Sequence, residues 1–190
     1  MPGSVLVAEY KAHEQALAHF SVRHPTAVID LVSRPEPGPP PGYRLLLLVR
    51  GATEAALADL RSEIHKSYGS GVVQSFARGK SFLQYILPMS AVTDAGHLAF
   101  DGATKDLNRK WAHIENGVFY MCARLPLGLD PKPHVTRLRG AFHAADVEAQ
   151  IDVLESPVWM EGAWGELADM MDGKIPATPV KPAPSPIDSF

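Results

Sequence analysis

Residues 42–51 read Gly-Tyr-Arg-Leu-Leu-Leu-Leu-Val-Arg-Gly, and the unbroken aliphatic run from Leu45 to Val49 limits the fold more than any other stretch. Successive side chains of a strand point to opposite faces, so such a run needs apolar cover on both. This predicts the central strand of a sandwiched sheet. Arg44 and Arg50 stand only at its ends, so the segment is scaffold and carries no chemistry.

Around it the patterns follow in a consistent order. Val5 to Glu9 reads as a first strand, and Ala16, Leu17 and Phe20 then recur at helical spacing until Pro25 ends the helix. Ala27 to Ser33 is a strand. The Arg-Pro-Glu-Pro-Gly-Pro-Pro-Pro-Gly stretch after it is a loop that joins no ladder, because proline has no amide donor. Thr53 is a helix N-cap ahead of Ala56, Leu57, Leu60 and Ile64, and the helix stops at Gly69. Residues 71–77 and 81–87 are two further β-rich runs. The expected class is α+β: a ferredoxin-like βαββαβ sandwich over residues 1–89.

A second small α+β unit is expected over residues 90–173. His97 to Phe100 is short and apolar, Asp101-Gly102 is a turn dipeptide, and 103–108 is a helical turn or loop. The sharpest local signal is Asn116-Gly117 between two β-rich arms, which calls for a type I′ hairpin. Counting outward sets Glu115 opposite Val118, Ile114 opposite Phe119, His113 opposite Tyr120, Ala112 opposite Met121 and Trp111 opposite Cys122. Ala112, Ile114, Phe119, Met121, Ala123 and Leu125 then form the core face. The other face carries Trp111, His113, Glu115, Val118, Tyr120, Cys122 and Arg124. His134 to Phe142 reads as a strand bearing Arg137 and Arg139. Val147, Ile151 and Leu154 have the spacing of an amphipathic helix, and Trp164, Leu167, Ala168 and Met171 that of a short one. Residues 174–190 are a proline-rich tail, extended and mobile.

Composition narrows the function. A net charge of −3 gives no global field for phosphate backbones or anionic membranes, so direct nucleic-acid binding is not expected. No apolar run approaches the roughly 18 residues of a membrane span, and the first residues lack a signal-peptide layout. A cytoplasmic location is expected, with no membrane partner. The single cysteine excludes an internal disulfide framework. Five of the 17 prolines fall in residues 34–42 and five in 176–186.

The candidate site is the outer hairpin face. Trp111 and Tyr120 would supply flat walls for a ligand, His113 and Arg124 its polar contacts, and Cys122 lies diagonal to His113. Arg137 and Arg139, with Lys132 and His134 nearby, are suited to bidentate contacts with a carboxylate or phosphate. The same residues on a half-buried sheet face need no ligand at all, and a lone strand cysteine is usually a small buried hydrophobe. The eight histidines show no ligand spacing, so no metal site is expected, and nothing in the sequence identifies a cofactor.

The opening strand Val5-Leu-Val-Ala-Glu-Tyr10, the first α+β unit, and the later Phe100-Asp-Gly102 turn with its Trp111 strand resemble the non-DNA-binding sensory half of archaeal bacterio-opsin-activator-type regulators. The resemblance spans about residues 4–155. It implies a regulatory module in transcriptional control. Those regulators carry a helix-turn-helix beyond this half, whereas here one short helix leads into the proline-rich tail.

The leading expectation is therefore a regulatory or ligand-binding module that takes a small molecule or a partner protein. A ferredoxin-like enzyme acting on a hydrophobic or aromatic substrate, with His113 as general base and Arg124 or Arg139 holding an anion, is the first alternative. An assembly or adaptor protein that pairs through sheet edges as a homo-oligomer and recruits clients by its tail is the second.

Overall fold

The computed structural model describes residues 3–12, 15–39, 41–68, 74–77 and 81–155, with 165 and 167. In chain order they form β1 (Ser4–Lys11), α1 (Ala16–Arg23), β2 (Val28–Glu36), β3 (Gly42–Arg50), α2 (Glu54–Tyr68), β4 (Gln74–Ala77), β5 (Ser81–Pro88), α3 (Ala95–Ala103), β6 (Lys110–Glu115), β7 (Val118–Arg124), α4 (Lys132–Ala144) and β8 (Ala149–Glu155). A 3-10 turn, Met89–Ala91, lies between β5 and α3. The class is α+β.

All eight strands join one sheet in the order β4-β5-β3-β2-β6-β7-β1-β8, with every neighbouring pair antiparallel. The order βαββαβ occurs twice in succession. In the sheet β1 lies between β7 and β8, and β5 lies between β4 and β3. Val5, Leu6, Val7 and Ala8 are all buried, which suits an interior position with a strand on either side. The sheet is thus larger than a four-stranded ferredoxin-like unit, and it runs without a break through both stretches of the chain.

The leucine run behaves as its pattern demands. Leu45 and Leu47 belong to the core beneath the helices, and Leu46 and Leu48 to a separate core on the other face. Truncating Leu47, wholly buried, would cost about 2–5 kcal/mol. The helices pair α1 with α2 and α3 with α4, and all four bury their apolar sides on one face, through Leu17, Phe20, Leu60, Ile64, Phe100, Leu138 and Phe142. Thr53 caps α2 by accepting from the Ala56 amide at 3.1 Å. On the opposite face Leu167, wholly buried, packs among Val5, Val7, Trp111 and Cys122.

The hairpin register is the expected one, from Lys110↔Ala123 to Glu115↔Val118. Asn116 (φ 48°) and Gly117 (φ 78°) both take the positive φ that a type I′ turn requires. The turn is docked on α1, where the Gly117 amide donates to Ser21 Oγ at 2.8 Å. A Cβ on Gly117 would come within 2.7 Å of Val22 Cγ2.

Four expectations are corrected. His134 to Phe142 is not a strand but most of α4, in which His134, Leu138 and Phe142 are buried at helical spacing and the arginines occupy the exposed side. Residues 149–155 are not helical but form edge strand β8, where pairing with β1 overrides the i, i+4 pattern of Val147 and Ile151. Asp101-Gly102 is not a turn: both residues lie within α3, whose start is fixed by Asp94 accepting from the His97 amide at 2.8 Å. The proline stretch does join a ladder, with Pro35 opposite Tyr43. Beyond Leu31, β2 has left its pairing with β6 and, among the described residues, has no strand on that edge, which tolerates a proline. The helix stop at Gly69 and the tail from Lys174 lie outside the described residues. So does the Trp164 stripe, apart from Leu167, which is helical.

Candidate functional site

The register that places β6 beside β7 also sets Asp30 of β2 opposite His113. The imidazole Nδ1–H donates to Asp30 Oδ1 at 2.8 Å, and the other carboxylate oxygen accepts from the Arg50 guanidinium. Asp30 and His113 are both buried, and His113 Nε2 lies 3.4 Å from Glu115 Oε2. The Tyr120 ring stands 5.7 Å from the His113 ring, and a groove of about 500 Å³ runs past Thr26, Arg50, His113, Glu115 and Tyr120. Both nitrogens of His113 therefore face carboxylates, and the buried Asp30–His113 pair, with the more exposed Arg50 and Glu115 at its rim, ties β2, β3 and β6 together.

The other expected site residues divide around this cluster. Trp111 and Cys122 share its face but are 4% and 0% exposed, inside the core that Leu167 completes. Burial, with Asp30 nearby, holds the Cys122 thiol well above its ordinary pKa, which disfavours the thiolate a nucleophile needs. Arg124 is half-buried at the end of β7. Arg137 and Arg139 are not with them: both are exposed on α4, beneath the opposite face of the sheet, where Arg137 and His134 share Asp106 at 3.2 and 3.1 Å.

Across the sheet, the two helix pairs leave between them a cleft of about 390 Å³. Its floor is the inward side of β2, β3, β5 and β7, including Leu31, Tyr43, Leu45, Tyr85 and Phe119. Its walls are Leu17 of α1, Tyr68 at the end of α2, Val92 and Asp94 of the connecting segment, and His97 of α3. Five aromatic rings, counting the His97 imidazole, line it. Tyr68 and Tyr85 lie nearly parallel at 6.4 Å between centroids, and Tyr43 meets His97 edge-on at 6.4 Å.

The polar groups of the cleft are fixed from behind. Asp94 Oδ2 accepts from Tyr10 Oη at 2.6 Å while capping α3. Asp101 accepts from Lys110 Nζ at 3.0 Å and from Tyr43 Oη at 3.3 Å, and its Oδ2 lies 4.0 Å from His97 Nε2. Burial lowers the His97 pKa against the opposing pull of Asp101 and Asp94, so the ring is neutral at pH 7. Burial likewise raises Tyr43, Tyr68 and Tyr85, so all three present hydroxyl groups. An apolar cavity of this size with a few convergent polar groups has the build of a small-molecule site.

Sequence reasoning missed Asp30, although an acidic residue within the apolar Val-Ile-Asp-Leu-Val run was the available signal. It also missed the cleft. Tyr43, Tyr68, Tyr85 and His97 come from four separate elements that no spacing rule connects. Among the described residues no group of three or more His, Cys, Asp or Glu is placed to hold a metal ion, and no helix is long and apolar enough to cross a membrane. The chain matches no protein-family model, and no curated protein matches it in sequence.

Proposed function

We propose that this protein is a ligand-binding module whose ligand is a small, flat, largely apolar molecule held in the cleft between the two helix pairs. The observation that carries this reading is the aromatic lining, in which Tyr43, Tyr68, Tyr85 and Phe119 face a common space of ring-accommodating volume. The doubled βαββαβ order supports it from below. In this reading the two runs are ferredoxin-like halves that have exchanged β1 and β5, and the cleft lies where their helix layers part. The hairpin face offers less, because its histidine is engaged by carboxylates and its tryptophan and cysteine are core.

The test is a neutral fluorescent probe, N-phenyl-1-naphthylamine, titrated into the full chain. Saturable binding is expected, and Val92→Trp, which puts an indole into the cleft from a half-buried loop position, should abolish it without unfolding the protein. Binding that never saturates, or that survives Val92→Trp unchanged, would remove the cleft from consideration.

A further inference from the structure

The cleft holds two polar groups that the fold leaves without a hydrogen-bond partner among the described residues: the hydroxyl of Tyr85 and the ring nitrogens of His97. Tyr85 is 3% exposed, and the His97 side chain 14%. Both line the cleft, where each is open to a hydrogen bond from a ligand. The contrast with their neighbours is sharp, since Tyr10, Tyr43, Asp94, Asp101 and Lys110 all have partners at hydrogen-bond distance.

We infer that the ligand of the cleft is a neutral hydroxylated aromatic molecule, its ring against the tyrosines and its hydroxyl paired with His97 and Tyr85. A hydroxyl is the smallest group that can donate to an imidazole and accept from a phenol through one oxygen. The charges around the cleft argue against ionic ligands. A carboxylate would meet Asp94, and no lysine or arginine is among the described residues that line the cleft. Among the described lining residues an ammonium would find one carboxylate, Asp94, whose Oδ2 already accepts from Tyr10 and the His97 amide. Burial keeps His97 uncharged at neutral pH, and therefore able to accept.

This inference rests on the cleft being the binding site, and the experiment separates the two. Calorimetric affinities of the full chain are measured for naphthalene, 2-naphthol, 2-naphthoate and 2-naphthylmethylammonium. The naphthol should bind about tenfold tighter than naphthalene, roughly the worth of one satisfied hydrogen bond, and tighter than either ion. Tyr85→Phe and His97→Gln should each bring naphthol and naphthalene to within about twofold, with naphthalene affinity retained, and Tyr85→Phe is near-isosteric should the histidine variant fold poorly. Equal binding of naphthol and naphthalene overturns the inference and leaves the cleft reading standing, as does tightest binding by either ion. No binding of any of the four overturns both.

Discussion

Tyr10 donates to Asp94 Oδ2 at 2.6 Å, and the same oxygen accepts from the amide of His97 at 2.8 Å. One carboxylate oxygen thus starts α3 and fastens it to β1, a strand 84 residues away in sequence. Asp94→Ala removes both bonds and should cost about 2–4 kcal/mol, a cap plus a charge-assisted bond. Tyr10→Phe should cost about half of that. Urea denaturation of the two variants checks the ratio.

The same junction depends on a missing side chain. A Cβ on Gly96 would lie 2.3 Å from Tyr10 Cε2, so the tyrosine ring rests directly on the first turn of α3. Gly96→Ala, ordinarily favourable in a helix, should instead destabilise by about 1–3 kcal/mol through overpacking. Relief of that loss in the double variant with Tyr10→Ala, read from the same denaturation curves, would locate the clash.

His97 should give stability a pH dependence of definite sign. Its folded pKa lies below the ordinary histidine value of about 6.5, so the unfolded chain takes up the proton first. The contribution is complete above that ordinary value and is lost as pH falls from it toward the lowered folded value. Asp94, Asp101, Lys110 and Tyr43 face the ring, the two carboxylates opposing the shift and the lysine adding to it. The fall in unfolding free energy between pH 7 and pH 5 should be shallower in His97→Gln than in the parent. Parallel curves would contradict the placement of this ring.

At the hairpin, Gly117→Ala combines a positive φ with a Cβ 2.7 Å from Val22. A loss of about 1–3 kcal/mol is expected, and Val22→Ala in the same chain should recover part of it. Val22 is itself 57% exposed, so its own truncation should cost little.

How much of this was legible in the sequence follows from how local each signal is. The Asn116-Gly117 turn fixes its own register, and the leucine run fixes burial on both faces, because each depends only on neighbouring residues. His134 to Phe142 and Val147 to Leu154 take the opposite state to the one their patterns predict for one reason: short apolar patterns fit both periods, and tertiary pairing decides between them. The places of β1 and β5 in the sheet leave no mark on element order at all. The cleft was illegible in the same way, since Tyr43 and Tyr85 are adjacent only through the β3–β5 pairing, and His97 reaches them only because Asp94 starts α3 where it does.

The leucine run offers the most direct test of the central claim. Leu45 points into the cleft, whereas Leu46 and Leu48 belong to the core on the far side of the sheet. With methyl-labelled protein and bound 2-naphthol, intermolecular NOEs from the probe should reach Leu45, Leu31 and Val92. NOEs to Leu46, Leu48 and Val7 instead would place the ligand on the hairpin face and contradict the account.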